Sequence, residues 1–332
     1  ARAFHRAVLY KHYMYIIGGE DKDTILRFNC EHQFWILIRP VFAGDFSRFT
    51  LIPMNGKDVY LYGGNDGGHL KSLVLLQLDS CSCQGGYSGS HCFEPQCLYD
   101  NHTCYGHGTC VAPDSCQCDS NYNEQFHCQT FNQLTNCTET VNVSSTGGPS
   151  PPAINEPITA IYDDHLFIIA GQTGGTTYSN QISRYSFKTS NWSFLSTSQI
   201  TGNSYAFGVY KNFLFVFGGH NAGILNDLYI FDMDILSVTT FNYGSPFAGL
   251  VYTGFTVVNE SLYIVGGSTT VSGGTFKDTV IQLNMEQVKF SVYGNIDGGS
   301  RRGIYVTHFN NQLFLFGGYT GATSLSKTFT FN

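Results

Sequence analysis

Six apolar runs of strand length recur along the chain, five closing on a glycine pair and one on Ala-Gly. They are YMYIIGG ending at Gly19, VYLYGG at Gly64, LFIIAG at Gly171, LFVFGG at Gly219, LYIVGG at Gly267 and LFLFGG at Gly318. The steps between copies are 45, 107, 48, 48 and 51 residues. Removing the cysteine-rich stretch from Cys81 to Cys137 brings the long step to the same period. A fixed period of this length marks a repeat architecture. Each unit runs in the same order. A strand-like stretch (RAVLYK, YAFGVYK, GFTVVN) leads through a short Asn-, Asp- or Lys-bearing turn (YKNF, VNES, FNNQ, YDDH) into the run that ends in Gly. After a variable loop comes a third stretch alternating with period two, as in QISRYSF, DLYIFD and KTFTFN, which predicts a β-strand. Trp35 and Trp192 follow this strand in two units, and a weak fourth strand is expected after it.

Three to four strands in about 45–50 residues is the size of a propeller blade. The units resemble kelch repeats, whose mark is a strand, a glycine pair, a loop, a strand and a Trp. The resemblance covers all of the chain except the cysteine-rich insertion. It departs from the pattern at Ala170, which replaces the first glycine of the third unit, and in the four units that lack the Trp. The fold expected is all-β, a six-bladed kelch-type β-propeller. Residues 1–80 would form blades one and two, 81–137 an insertion, and 138–332 the end of blade two with blades three to six. ETVNV after Cys137 is a candidate for the delayed outer strand of blade two, and SSTGGPSPPA is a linker by composition. The last unit ends straight after its third strand. An unpaired edge is a template for strand addition, so Lys327, Thr328, Phe329, Thr330 and Phe331 are expected to pair with another chain.

Ten of the eleven cysteines lie between Cys81 and Cys137. That density predicts disulfides and an oxidising compartment, and the spacings lack the paired C-x2-C knuckles of common zinc modules. The run CLYDNHTCYGHGTCVAPDSCQCDSNYNEQFHC, residues 97–128, resembles an EGF-like module of the tenascin or teneurin kind. The resemblance implies the bridges Cys97–Cys110, Cys104–Cys116 and Cys118–Cys128. CSCQGGYSGSHC upstream resembles the second half of another such module, which by analogy pairs Cys83 with Cys92. Cys81 and Cys137 bracket the insertion and are expected to tie its base. Cys30 is an alternative partner for Cys81, and one cysteine is left over either way: a buried thiol or an intermolecular link. FEPQC before the first cysteine holds only Glu94, which argues against a calcium site.

Five N-x-[ST] sequons, at Asn101, Asn136, Asn142, Asn191 and Asn259, agree with secretion. The chain starts within strand-like sequence and without a signal-peptide pattern, as a mature product or a fragment would. Charged residues make up 12% and the net charge is −7, which argues against a nucleic-acid partner. No apolar stretch is long enough for a transmembrane helix. The motifs of hydrolases, zinc proteases and phosphate loops are missing, and Cys30 lies on the wrong strand for a copper-oxidase centre of the kelch type. The eleven His are scattered, and His102 and His107 suit surface turns. Arg301 and Arg302 suit a solvated loop before the last blade. No enzyme activity, cofactor or metal is expected. Loops after the glycine pairs, NDGGHLK, QTGGTTYS and STTVSGGTF, would form one low-charge face suited to protein or glycan. The function expected is a structural or adhesive extracellular glycoprotein module. It would be a subunit of a homo-oligomer, filament or coat such as a flagellar hair, or an ectodomain like the attractin-like proteins that combine these modules. A receptor-type or secreted binding domain is the alternative.

Overall fold

The structure is a computed structural model. It describes residues 5–11, 13–19, 25–30, 34–38, 47–54, 58–65, 73–78, 139–142, 147–241, 248–272, 275–296, 299–310, 312–323 and 328–331, with short strands inside 81–137. Among the described residues every regular element is a strand, and the strands form a ring of antiparallel sheets.

The first sheet holds β1 (Arg6–Tyr10), β2 (Tyr13–Ile17), β3 (Ile25–Asn29) and β4 (Phe34–Ile38). The second holds β5 (Thr50–Met54), β6 (Asp58–Tyr62) and β7 (Leu73–Gln77). Its fourth strand is β14 (Glu139–Asn142), which pairs with β7 after the chain has traversed the cysteine-rich insertion. The insertion carries three short antiparallel ladders: β8 (Tyr87–Ser88) with β9 (Glu94–Pro95), β10 (Leu98–Tyr99) with β11 (His102–Thr103), and β12 (Gly108–Ala112) with β13 (Ser115–Cys118). The third sheet is β15 (Ile158–Tyr162), β16 (His165–Ile169), β19 (Gln181–Ser186) and β20 (Asn191–Thr197), with a side hairpin of β17 (Gln172–Gly174) and β18 (Thr177–Tyr178). The fourth is β21 (Asn203–Tyr210), β22 (Phe213–His220), β23 (Leu228–Asp232) and β24 (Ser237–Phe241). The fifth is β25 (Gly254–Val258), β26 (Ser261–Val265), β27 (Thr279–Asn284) and β28 (Lys289–Asn295). β29 (Arg302–Phe309), β30 (Gln312–Tyr319) and β31 (Thr328–Phe331) form a three-stranded sheet in the remaining place of the ring.

The first strand of each sheet faces the axis. β1 packs against β5 on one side and β29 on the other, and β5, β15, β21, β25 and β29 follow each other around the channel. The apolar core is divided accordingly into clusters shared by neighbouring sheets. Phe215 and Phe217 of β22 meet Leu262 and Ile264 of β26, and Phe28 of β3 with buried Cys30 meets Phe314 and Phe316 of β30. The second of these closes the ring. The turns after β15, β21 and β25 are two-residue hairpin loops, with Asp163, Lys211 and Asn259 in the left-handed region.

The glycine pair joins one sheet to the next. The second glycine donates its N–H to a carbonyl in the loop that enters the following sheet: Gly64 to Ile154 (3.1 Å), Gly171 to Gly202 (2.8 Å), Gly219 to Leu250 (2.9 Å) and Gly267 to Arg301 (2.9 Å). Both glycines have positive φ, and space is short around them. A Cβ on Gly218 would lie 2.5 Å from the Leu250 carbonyl oxygen, and one on Gly219 would lie 2.5 Å from the Tyr205 ring. Ala170 takes the first position in the third sheet at φ 57° with its side chain fully buried.

The fourth-strand aromatic stabilises the same junction. Trp192 stacks on Tyr185 in its own sheet (5.1 Å) and on Tyr62 in the sheet before it (5.7 Å). Trp35 does the same with Phe28 (4.8 Å) and with Phe316 across the ring closure (4.7 Å). Phe290 of β28 takes the equivalent place on Phe217 (5.0 Å). A sequence search for Trp alone misses Phe290, whose signal is an aromatic at the same spacing after the alternating strand. Gly219→Ala should therefore destabilise the protein by about 2–4 kcal/mol, from left-handed backbone strain plus overpacking. Gly223→Ala, with nothing within 4 Å of its Cβ position, should change stability by less than about 0.5 kcal/mol. Urea unfolding of the two variants measures both.

Candidate binding site at the channel mouth

At one end of the ring the chain enters five of the first strands through a residue in the left-handed region. The positions are equivalent by register: Arg48 (φ 54°), Glu156 (φ 48°), Ser204 (φ 58°), Tyr252 (φ 54°) and Gly303 (φ 65°). Four of the five carry a side chain, at about 1–2 kcal/mol of backbone strain each. Blade-to-blade bonds hold them there. Glu156 N donates to Arg48 O (2.9 Å), and Gly303 N donates to Tyr252 O (2.7 Å). Strain at matched positions around an axis gathers unlike side chains at one mouth.

Glu156 is buried, and the Ser204 hydroxyl donates to its Oε2. Arg6, at the start of β1, faces the same mouth. Burial lowers the Arg6 pKa, and the negative charge of Glu156 opposes that shift. Tyr178, at the end of β18, donates its hydroxyl to His220 Nδ1 (2.9 Å) when that ring is neutral, which ties the loops of two neighbouring sheets together. Desolvation lowers the His220 pKa and favours that neutral form.

Arg301 and Arg302 depart from expectation. Neither lines a solvated loop. Arg301 is 1% exposed, its Nε donates to Gly299 O (3.0 Å), and its carbonyl accepts the Gly267 clasp. The Arg302 guanidinium lies over the rings of Tyr252 (5.0 Å), Phe276 (5.2 Å) and Tyr319 (5.7 Å) and donates to Val271 O (2.8 Å). These contacts pin the STTVSGGTF loop to the last sheet. The physical reason is position: the start of an inner strand lies in the junction between blades, where a carbonyl satisfies Arg301 and aromatic faces satisfy Arg302.

QTGGTTYS and STTVSGGTF emerge at this same end, beyond their glycine pairs, and most of NDGGHLK lies outside the described residues. Asn191 and Asn259 are exposed, Asn191 at the start of β20 and Asn259 in the turn before β26. Asn142 ends β14, while Asn101 and Asn136 lie outside the described residues. Cys81, Cys83, Cys92, Cys97, Cys104, Cys128 and Cys137 lie outside them too. Cys110 and Cys116 are backbone partners across β12 and β13, where Cys118 also sits. Of the expected strand-addition edge, Lys327 is outside the described residues and Thr328 to Phe331 form β31, with Thr330 exposed. Among the described residues no group of three or more His, Cys, Asp or Glu is placed to hold a metal ion, and no helix is long and apolar enough to cross a membrane.

Residues 116–267 match the family model described as the KLHDC2/KLHL20/DRC7 Kelch-repeats domain. The match runs from β13 through the second glycine of the fifth sheet, so it covers three of the four glycine clasps described above, those of Gly171, Gly219 and Gly267. The fold is an all-β propeller, with kelch repeats over the matched residues. No curated protein matches the chain. Kelch domains mediate protein–protein interactions.

The histidines give the propeller a pH dependence of defined sign. Burial depresses both His220 and His308 below the ordinary value of 6.5. The unfolded chain therefore takes up these protons first. Stability is full above the ordinary histidine pKa and is lost as pH falls from it toward the folded values. NMR titration should place both rings below 6.5, and H220N/H308N should flatten the fall in thermal midpoint between about pH 7 and pH 5.

Proposed function

We propose that this chain is a six-bladed propeller module of an extracellular structural or adhesive glycoprotein, working through protein–protein contacts. Residues 81–137 would be its disulfide-stapled, EGF-like insertion. The observation that carries the reading is the loop face. Its segments are held by the Tyr178–His220 bond and the aromatic box around Arg302, so a partner meets a pre-ordered surface and little ordering entropy is lost on contact. Cysteine density and the exposed sequons at Asn191 and Asn259 support an extracellular setting.

The sheet edges support assembly. Among the described residues β31 pairs on one side only, with β30, and its sequence TFTF carries no charge to repel a docking strand. A second reading, a monomeric receptor-type or secreted domain that recognises a protein or glycan, is favoured by the rigidity of the mouth itself. Light scattering and electron microscopy of native material separate the two. Polymers that Thr330→Lys dissolves, with the thermal midpoint unchanged, are the expected result. A discrete monomer at high concentration removes the assembly reading and leaves the receptor one. Peptide:N-glycosidase treatment should increase mobility on gels, and N191Q/N259Q should reduce that change.

A further inference from the structure

The inner strands enclose a chamber of about 350 Å3 on the axis. Its polar lining is Arg6, Thr50, Thr253, Thr256, Tyr305, Thr307 and His308, and the remainder is largely apolar side chains. Arg6 and Thr253 also line a second, smaller cavity of about 40 Å3, which contains Glu156 and Ser204. Arg6 thus stands between the two.

Two of these groups have few partners. Arg6 is half-buried and among the described residues makes one hydrogen bond, from Nη1 to the carbonyl of its neighbour His5 (3.3 Å). A guanidinium has five N–H donors in a planar fork. Glu156 acts on it through space, but that carboxylate lines the smaller cavity and accepts from Ser204, and Arg48 acts in the opposite sense. Thr253 Oγ1 is buried and makes no hydrogen bond among the described residues. A buried hydroxyl and a poorly paired cation are both costly unless something occupies the space beside them. Burial pushes the Tyr305 phenol pKa up, so Tyr305 stays protonated and can donate.

We infer that the chamber binds a small inorganic oxyanion of the phosphate or sulfate class. Arg6 presents its fork to two oxygens, and Thr253 donates to a third. Glu156 is absent from the chamber lining, so no carboxylate in that lining competes for the site. Fork recognition of tetrahedral oxyanions is the usual strength of arginine over lysine.

The test is isothermal titration of the full chain with inorganic phosphate and, separately, with sulfate, at constant ionic strength set with sodium chloride. The expected result is saturable binding of one oxyanion per chain. Arg6→Gln should weaken it by about tenfold or more, as loss of a charge-assisted bidentate contact does. Thr253→Val, nearly the same shape, should weaken it several-fold while the thermal midpoint without phosphate stays within about 2 °C. If Arg6→Gln does not fold, Arg6→Lys replaces it and should also weaken binding, because the fork is lost. Absence of saturable binding by the wild-type chain, or equal affinity in the Arg6 and Thr253 variants, overturns the inference. Binding of both anions, or of one alone, identifies the member of the class.

Discussion

The propeller depends on one backbone contact repeated around its axis. The amide of the second glycine in a blade donates to a carbonyl in the loop entering the next blade, and four such bonds fall between 2.8 and 3.1 Å. The bond needs two backbones close enough that a Cβ cannot fit, and it needs left-handed φ at the donor. Glycine is required there for both reasons at once. Every larger contact builds on this clasp. The apolar clusters form between blades because the clasp brings them to packing distance, and Trp35, Trp192 and Phe290 seal the same junctions from the outer strands.

The mouth follows from the same constraint. The carbonyl that accepts each clasp lies two residues before the left-handed position, so fixing one fixes the other. Arg301 O accepts from Gly267, and Gly303 then sits in the ring beside Tyr252. The strain at Arg48, Glu156, Ser204 and Tyr252 is held by a closed ring that offers those residues no alternative path. Side chains of opposite charge consequently meet at the axis, where Arg6 and Glu156 lie close enough to influence each other without an ion pair. A surface rigid in this way suits recognition, whether the partner is a copy of the chain or another protein.

The repeat was legible because glycine is a residue choice that the clasp dictates. The hairpin turns were legible for the same reason, since Lys211 and Asn259 occupy positions where short turns need positive φ. The mouth was not legible. Arg48, Glu156, Ser204, Tyr252 and Gly303 share one backbone conformation and no chemistry, because the ring imposes the conformation and side-chain preference does not. A position before the last blade suggests a solvated loop for Arg301 and Arg302, and packing between blades overrides it. Phe290 is hidden from the Trp pattern because the junction requires only a large flat ring. The return of the chain at β14 was legible as a period-two stretch, because an interrupted blade still needs its outer strand.

The central claim is that the glycine clasps hold the ring together and do not merely decorate it. Native-state hydrogen exchange reads the clasped amides directly. The amides of Gly64, Gly171, Gly219 and Gly267 should exchange only through global unfolding, with a free energy and denaturant dependence equal to those of the whole domain. Exchange of these four amides through local opening, insensitive to denaturant and faster than that of the neighbouring core strands, would contradict the account.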